Sequence, residues 1–464
     1  MSRTAIRNAT AVCVDALDTI VDKATIVIDD GVITEITPGV KGAAGVEGAA
    51  GIGGGMAGGA PRGEPDVEID ADGGIVLPGL FNAHAHLAMT LLRGVADDCD
   101  LDGFLAAVLP IEGALLSAHV VEVGTELAAV ECLRSGITSA LDMYFFPEEA
   151  LTASAAMGMR LHTGPVFIQF PGADNRPWDV RLAWAREWMA GAAAGSPGAE
   201  DPRSRWACPH STYLLTERQL RDVAALSNET QCRVHVHAAE TRAELAQVAG
   251  LHGGRTPVQV LFDTGLLHDR TVLAHCVHVT DVDIALIADA GAHVVHNPAS
   301  NAKLASGLAP VRRMLDAGIN VALGTDGSAS ANDLDLWLAM RLAGFLPSLV
   351  HDHPGQITAR ELLRMATING ARAAGVDDFV GSLEVGKRAD LIVLDSTSAA
   401  SFPSYDPLST LAYATSRAEV RDVFVDGSRV VVEGSVVHQA ADLRRRVGAI
   451  AERVRALASG QSGE

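Results

Sequence analysis

Ile75-Val-Leu-Pro78-Gly-Leu-Phe-Asn82-Ala-His84-Ala-His86 is the stretch on which the fold of this chain turns. A short apolar run, Ile75-Val-Leu77 continuing through Phe81, ends in two histidines two residues apart. In an extended chain, residues i and i+2 share a face, so both imidazoles leave the end of a strand in the same direction. Reading outward, the same unit recurs. Further short apolar runs lie at Ile137 to Leu141, Arg160 to Phe167, Trp206 to Pro209, Arg233 to His237, Thr271 to Ala274, His293 to Val295 and Asn320 to Leu323. Helix-like stretches separate them, among them Val120 to Ser135, Glu217 to Ser227, Val282 to Ala290 and Leu308 to Ala317. About eight β–α units are what a closed parallel (β/α)8 TIM-like barrel requires.

Outside these units the pattern is β-rich. Ala24 to Ile28 and Val32 to Ile36 flank the turn Asp29-Asp30-Gly31, and Val67 to Asp70 follows; after the barrel come Gly386 to Leu394, Val420 to Val425 and Arg429 to Val432. The two groups are expected to pair. The chain is therefore read as α/β, with a small discontinuous β-sandwich domain built from both ends: 1–75 as its first part, 76–378 as the barrel, 379–440 as its second part, and 441–464 as a terminal helix and tail. Gly39 to Gly63 is rich in Gly and Ala with few large side chains, and is expected to be a flexible insertion. Asp442 to Ala458 is expected to be a charged, solvated helix.

The 464 residues, 48% hydrophobic, suffice for one large barrel and a satellite. A net charge of −21 disfavours nucleic acid and anionic membrane as partners. No apolar run approaches the ~18 residues of a membrane span. Met1 to Thr10 carries Arg3 and Arg7 without an apolar core, so no secretory signal peptide is expected. The six cysteines are scattered with no CxxC pair, which fits a reducing cytoplasm rather than a disulfide framework or a thiolate metal site. A cytoplasmic homo-oligomer acting on a small molecule is expected.

Active sites of such barrels lie at the C-terminal strand ends. Those ends read His84-Ala-His86, Pro209-His210, His235-Val-His237-Ala-Ala-Glu240, His275, His296-Asn297 and Gly324-Thr-Asp326-Gly327. An isolated HxH pair is weak, since strand-end imidazoles are often structural. Coincidence at several strand ends makes His84, His86, His237 and Asp326 the expected ligands of one divalent ion, zinc above all. His235 lies deeper and is read as support, His278 as structural, and His296 as a residue lining the pocket.

The run Pro78 to His86 resembles the PGxxxxHxH motif of the amidohydrolase superfamily, and Gly386-Lys-Arg-Ala-Asp-Leu-Ile-Val-Leu-Asp395 resembles its closing β-domain motif. Four segments narrow the resemblance: Leu92-Arg-Gly94, Pro110-Ile-Glu112, His296 to Gly307, and Gly324 to Asp335. Together they are similar to the 5-methylthioadenosine/S-adenosylhomocysteine deaminase group. That resemblance implies zinc-dependent hydrolytic deamination of a 5′-modified adenosine, giving a hypoxanthine base and ammonia. In such a reaction Asp326 accepts a proton from the attacking water and Glu240 donates one to the ring and then to the departing amine. The resemblance gives His275 the role of stabilising the addition intermediate, and makes Glu112, Arg160 and His210 substrate contacts. Phe104 departs from the Trp common there, and Phe170 to Trp178 is unlike the usual loop and is expected to cover the pocket. The alternatives are a related amidohydrolase acting on a free purine, pterin, cytosine or triazine ring, or an inactive scaffold, although this chain retains every ligand.

Overall fold

The computed structural model describes residues 2–39, 64–191 and 205–461. All but the first residue of the Gly/Ala-rich stretch Gly39 to Gly63 lies outside them. Strands β1 (Arg3–Val12), β2 (Ile20–Asp29), β3 (Val32–Thr37), β4 (Val67–Asp70) and β5 (Ile75–Pro78) open the chain. β2 and β3 pair antiparallel about Asp30 and Gly31, and both of these residues take positive φ.

The barrel follows as β6 (Leu80–His86), β7 (Ile137–Asp142), β8 (Arg160–His162) with β9 (Val166–Phe167), β10 (Trp206–Pro209), β11 (Arg233–Ala238), β12 (Thr271–His275), β13 (His293–His296), β14 (Val321–Leu323) and β15 (Asp326–Gly327). These strands run in parallel in two arcs, β15-β6-β7-β8 and β9 through β14. Two short interruptions join the arcs. Thr163, between β8 and β9, bridges Arg205, and β15 continues β14 and pairs with Ala85 and His86. Asn82 staples this closure: its amide donates to Thr325 Oγ1 at 2.7 Å and its oxygen accepts from Thr325 N at 3.0 Å, all fully buried. Gly324 is required there, because a Cβ would lie 2.9 Å from the His84 backbone nitrogen. The interior is filled by inward-facing Phe81, Leu141, Val166, Trp206, Val272 and Val295, so the barrel is a packed core with its opening at one end.

After the barrel, β16 (Leu391–Leu394), β17 (Val420–Val425), β18 (Ser428–Val432) and β19 (Ser435–Val436) join the first five strands in one nine-stranded sheet, β19-β18-β17-β16-β5-β1-β2-β3, with β4 on β1. The sheet curls round its own core of Ile6, Ile26, Ile33, Leu391 and Phe424. Backbone hydrogen bonds between Ile33 and the 386–387 segment hold the curl shut. Two sequence expectations are corrected here. Ile75 to Phe81 is not one barrel strand: Ile75–Pro78 belongs to the small sheet, parallel to β1 and antiparallel to β16, and the chain crosses to the barrel at Gly79. Both pieces are buried on every side, so apolarity alone hides the junction. The terminal helix Leu443–Gln461 is not merely solvated. It buries Leu443, Ile450 and Val454 against the helices Leu101–Leu115 and Ala118–Arg134, where Arg446 pairs with Glu126.

Candidate active site

The barrel mouth gathers the strand-end residues. His86 Nδ1 donates to the Met143 carbonyl at 2.7 Å, and His237 Nδ1 donates to the His210 carbonyl at 2.8 Å. Each bond fixes the tautomer and turns an Nε2 lone pair inward, leaving the two Nε2 atoms 3.3 Å apart. His84 Nδ1 rests 2.9 Å from His235 Nε2, which gives His235 its supporting place, and His84 Nε2 is buried without a hydrogen-bond partner. Asp326 Oδ1 lies 3.3 Å from His84 Nε2 and 3.1 Å from His86 Nε2. Its Oδ2 accepts from Ser300 at 2.6 Å and from Ser330 at 2.7 Å.

These four side chains offer donor atoms within 4.8 Å of one another. Ligand bonds to zinc of about 2.0–2.2 Å place neighbouring donors roughly 3–3.5 Å apart, the spacing of the His86–His237, His84–Asp326 and His86–Asp326 pairs here. Two imidazole lone pairs facing each other repel unless a cation lies between them, so the donor set fits a divalent ion. Burial drives His237 well below the ordinary histidine range and His84 to about 4, which favours the neutral form that ligation requires, and it lowers the supporting His235 as well. Burial opposes the Asp326 carboxylate, yet the neighbouring His84 and His86 rings outweigh it and hold the group well below its usual range. His86 is pushed the other way, to about 9, since the Asp326 carboxylate overcomes its burial; a bound cation would take the place of a proton at His86 Nε2.

Past β11 the backbone turns sharply at Ala239, φ +54°, and delivers Glu240 into the cavity. The turn is held by Glu244, whose two oxygens accept from Ala239 N at 3.0 Å and Glu240 N at 2.6 Å. Glu240 Oε2 stands 3.7 Å from His275 Nε2, and Oε1 is 3.5 Å from Ser306 Oγ. Burial pushes the Glu240 carboxyl upward, the direction a proton donor needs. His275 and Asp326 also take positive φ, +74° and +62°, so three strand ends carry left-handed residues where side chains must be aimed. Asn301 Oδ1 fixes His275 Nδ1 at 2.8 Å.

Above this floor lies a cavity of about 530 Å³, within the range of small-molecule sites. Glu112 and His210 line it, with Glu112 accepting from the Tyr144 hydroxyl. Phe104 and the loop from Phe170 to Ala173 form part of its wall. Two expected residues are elsewhere. Arg160 begins β8, at the end of the barrel opposite the mouth, and pairs with Asp390 at 3.1 Å and Asp426 at 3.5 Å across to the small sheet; it is a structural ion pair, not a substrate contact. His296 is wholly buried behind the wall and does not line the cavity. His278 donates to the Ser306 carbonyl and is structural.

Tyr144, Glu244, Ser300, Asn301, Ser306 and Ser330 are contributions that sequence reasoning did not single out. Ser300, Asn301 and Ser306 lie inside the quoted motif His296 to Gly307, and that motif was their only signal.

The family described as Amidohydrolase family matches residues 75–430. The chain belongs to the amidohydrolase family. Among amidohydrolase relatives, it is 42% identical over 373 residues to a 5-methylthioadenosine/S-adenosylhomocysteine deaminase of Haloarcula marismortui, covering 80% of this chain and 84% of that one. It is 38% identical over 375 residues to a 5′-deoxyadenosine deaminase of Methanothermobacter thermautotrophicus, covering 81% and 86%. Among solved structures, a zinc-bound adenosine deaminase from Xanthomonas campestris superposes with a TM-score of 0.88 at 32% identity, covering 98% of this chain and 99% of that one. Among the described residues no helix is long and apolar enough to cross a membrane.

Proposed function

We propose that this amidohydrolase is a zinc-dependent hydrolytic deaminase of 5′-modified adenosines: water replaces the exocyclic amine at C6, giving a hypoxanthine base and ammonia. The observation that carries the reading is the placement of Glu240 and His275 beside the four-donor cluster, on the floor of a cavity whose side wall presents Glu112 and Tyr144. The names of the relatives support it, as does the bound zinc of the Xanthomonas structure. All six cysteines are free thiols, in keeping with a cytoplasmic setting.

His84, His86, His237 and Asp326 would hold the ion. When bound, zinc lowers the pKa of a coordinated water towards 7 and so supplies a nucleophile at neutral pH. The chain's own residues do the rest. Asp326, oriented by two serine hydroxyls, keeps a carboxylate oxygen facing the cluster and can accept the proton that the water gives up. Glu240, whose carboxyl burial pushes upward, donates to the ring nitrogen that gains charge on attack at C6; left as a carboxylate, it takes the proton of the added hydroxyl and passes it to the leaving amine. His275, locked by Asn301, presents Nε2 to the oxygen that adds. Glu112 accepts the vicinal ribose hydroxyls, and His210 packs along the same wall.

Ammonia release from the metal-loaded protein tests this, with 5′-methylthioadenosine, 5′-deoxyadenosine, adenosine, adenine and guanine compared. The 5′-modified nucleosides should be the best substrates. Faster turnover of a free base than of any nucleoside would overturn the proposal.

A further inference from the structure

The cavity wall changes character along the helix Leu101–Leu115. Glu112 sits near its C-terminal end, and Leu101, Leu105, Val108 and Leu109 line the same cavity at i, i+4, i+7 and i+8. At 1.5 Å per residue, the stripe from Leu101 to Glu112 runs about 16 Å, far more than a methylthio group can cover. Phe145 and Phe170 add apolar surface from two other loops. Leu109 and Phe170, 49% and 45% exposed, stand at the outer part of this wall.

The charged side chains among the described lining residues, histidines aside, are the acids Glu112, Glu240 and Asp326. Nearby cations are committed elsewhere. Arg176 and Arg181 both pair with Asp174, and Lys303 pairs with Asp97 at 2.7 Å. Arg160, expected as a substrate-side cation, is engaged by Asp390. A zwitterionic amino-acid tail on the 5′ sulfur would thus lie against leucine and phenylalanine, with acids deeper in the cavity and, among the described lining residues, no lysine or arginine facing its carboxylate.

We infer that the enzyme discriminates by the 5′-substituent, favouring uncharged apolar groups, and among these alkylthio chains longer than methyl, over the homocysteinyl group. This rests on the nucleoside reading above and narrows it. Each additional methylene that reaches the wall adds roughly 0.8 kcal/mol, about fourfold in kcat/KM.

The test measures kcat/KM by ammonia release from the metal-loaded protein with 5′-methylthio-, 5′-propylthio- and 5′-butylthio-5′-deoxyadenosine and S-adenosylhomocysteine. The butylthio compound should exceed the methylthio compound by tenfold or more, and S-adenosylhomocysteine should fall at least tenfold below the methylthio compound. In Leu109→Arg, a half-exposed position that tolerates a long side chain, the ratio of S-adenosylhomocysteine to methylthioadenosine should rise at least threefold. S-adenosylhomocysteine equalling or outpacing the alkylthio nucleosides would overturn this inference and leave the deaminase reading standing. A flat response to chain length would remove the alkyl preference. Deamination of none of the four would overturn both.

Discussion

Replacing Glu112 by Gln keeps the side-chain volume and removes the charge and one acceptor oxygen. In the structure this carboxylate is buried, lies on the cavity wall and accepts from the Tyr144 hydroxyl. A ribose bound there offers two more donors. Hydrogen bonds to a charged group contribute about 1.5–3 kcal/mol each, and glutamine keeps one acceptor oxygen while placing an amide donor where the second stood. The net loss is therefore about one such bond, roughly 10- to 150-fold in kcat/KM. Burial pushes the Glu112 carboxyl up to about 7, against the pull of the Tyr144 bond and the His86 charge. The acceptor form of a raised carboxyl is populated only above that value, so nucleoside kcat/KM in the parent protein should rise with pH through about 7. In Glu112→Gln that rise should be absent. Measured by ammonia release, the 2′-deoxy counterpart of the best substrate should start lower and lose less on mutation, because one of its two hydroxyls is already missing. Equal losses for the ribo and deoxy compounds, with an unchanged pH profile, would refute the contact and make Glu112 a structural partner of Tyr144.

His86→Ala removes one inward-facing Nε2 and should abolish both tight divalent-metal binding and ammonia release; full metal content by elemental analysis would exclude His86 as a ligand. Glu240→Gln should retain the metal while kcat falls by about two to four orders of magnitude, whereas a loss below threefold would remove Glu240 from proton transfer. Asp390→Ala leaves the Arg160 guanidinium, at the seam between barrel and small sheet, with only the half-exposed Asp426 at 3.5 Å. Since Arg160 is 30% exposed and Asp390 2%, the cost should lie near the lower end of the buried-pair range, about 3 kcal/mol, seen as a lowered Tm. Ligand selectivity should be unchanged in the protein that remains folded, and a shift in KM without any fall in Tm would restore Arg160 to the substrate.

The four-donor cluster was readable because a strand imposes its period on the side chains. His84 and His86 share a face, and Asp326 ends the last strand, so barrel topology alone brings them together. The same rule contains the error over Arg160. It begins its strand, and a residue at a strand's N-terminal end belongs to the closed end of the barrel, however well its neighbours match a family motif. Glu244 shows a subtler limit. Thr241-Arg-Ala-Glu244 reads as a capping box, and the Thr241 hydroxyl does accept from Glu244 N. The carboxylate nevertheless reaches past the cap to Ala239 N and Glu240 N, because the left-handed Ala239 leaves two adjacent N–H groups turned the same way. No periodicity announces a positive φ at an alanine. The pocket wall is hidden for a different reason: in sequence nothing distinguishes Leu101, Leu105 and Leu109 from a buried helix face, and only the position of that helix over the mouth makes the stripe a surface for a substrate. Sequence period locates groups that act along a strand, whereas specificity depends on which helix face the loops leave uncovered. That uncovered face is where this chain can differ from other members of its family.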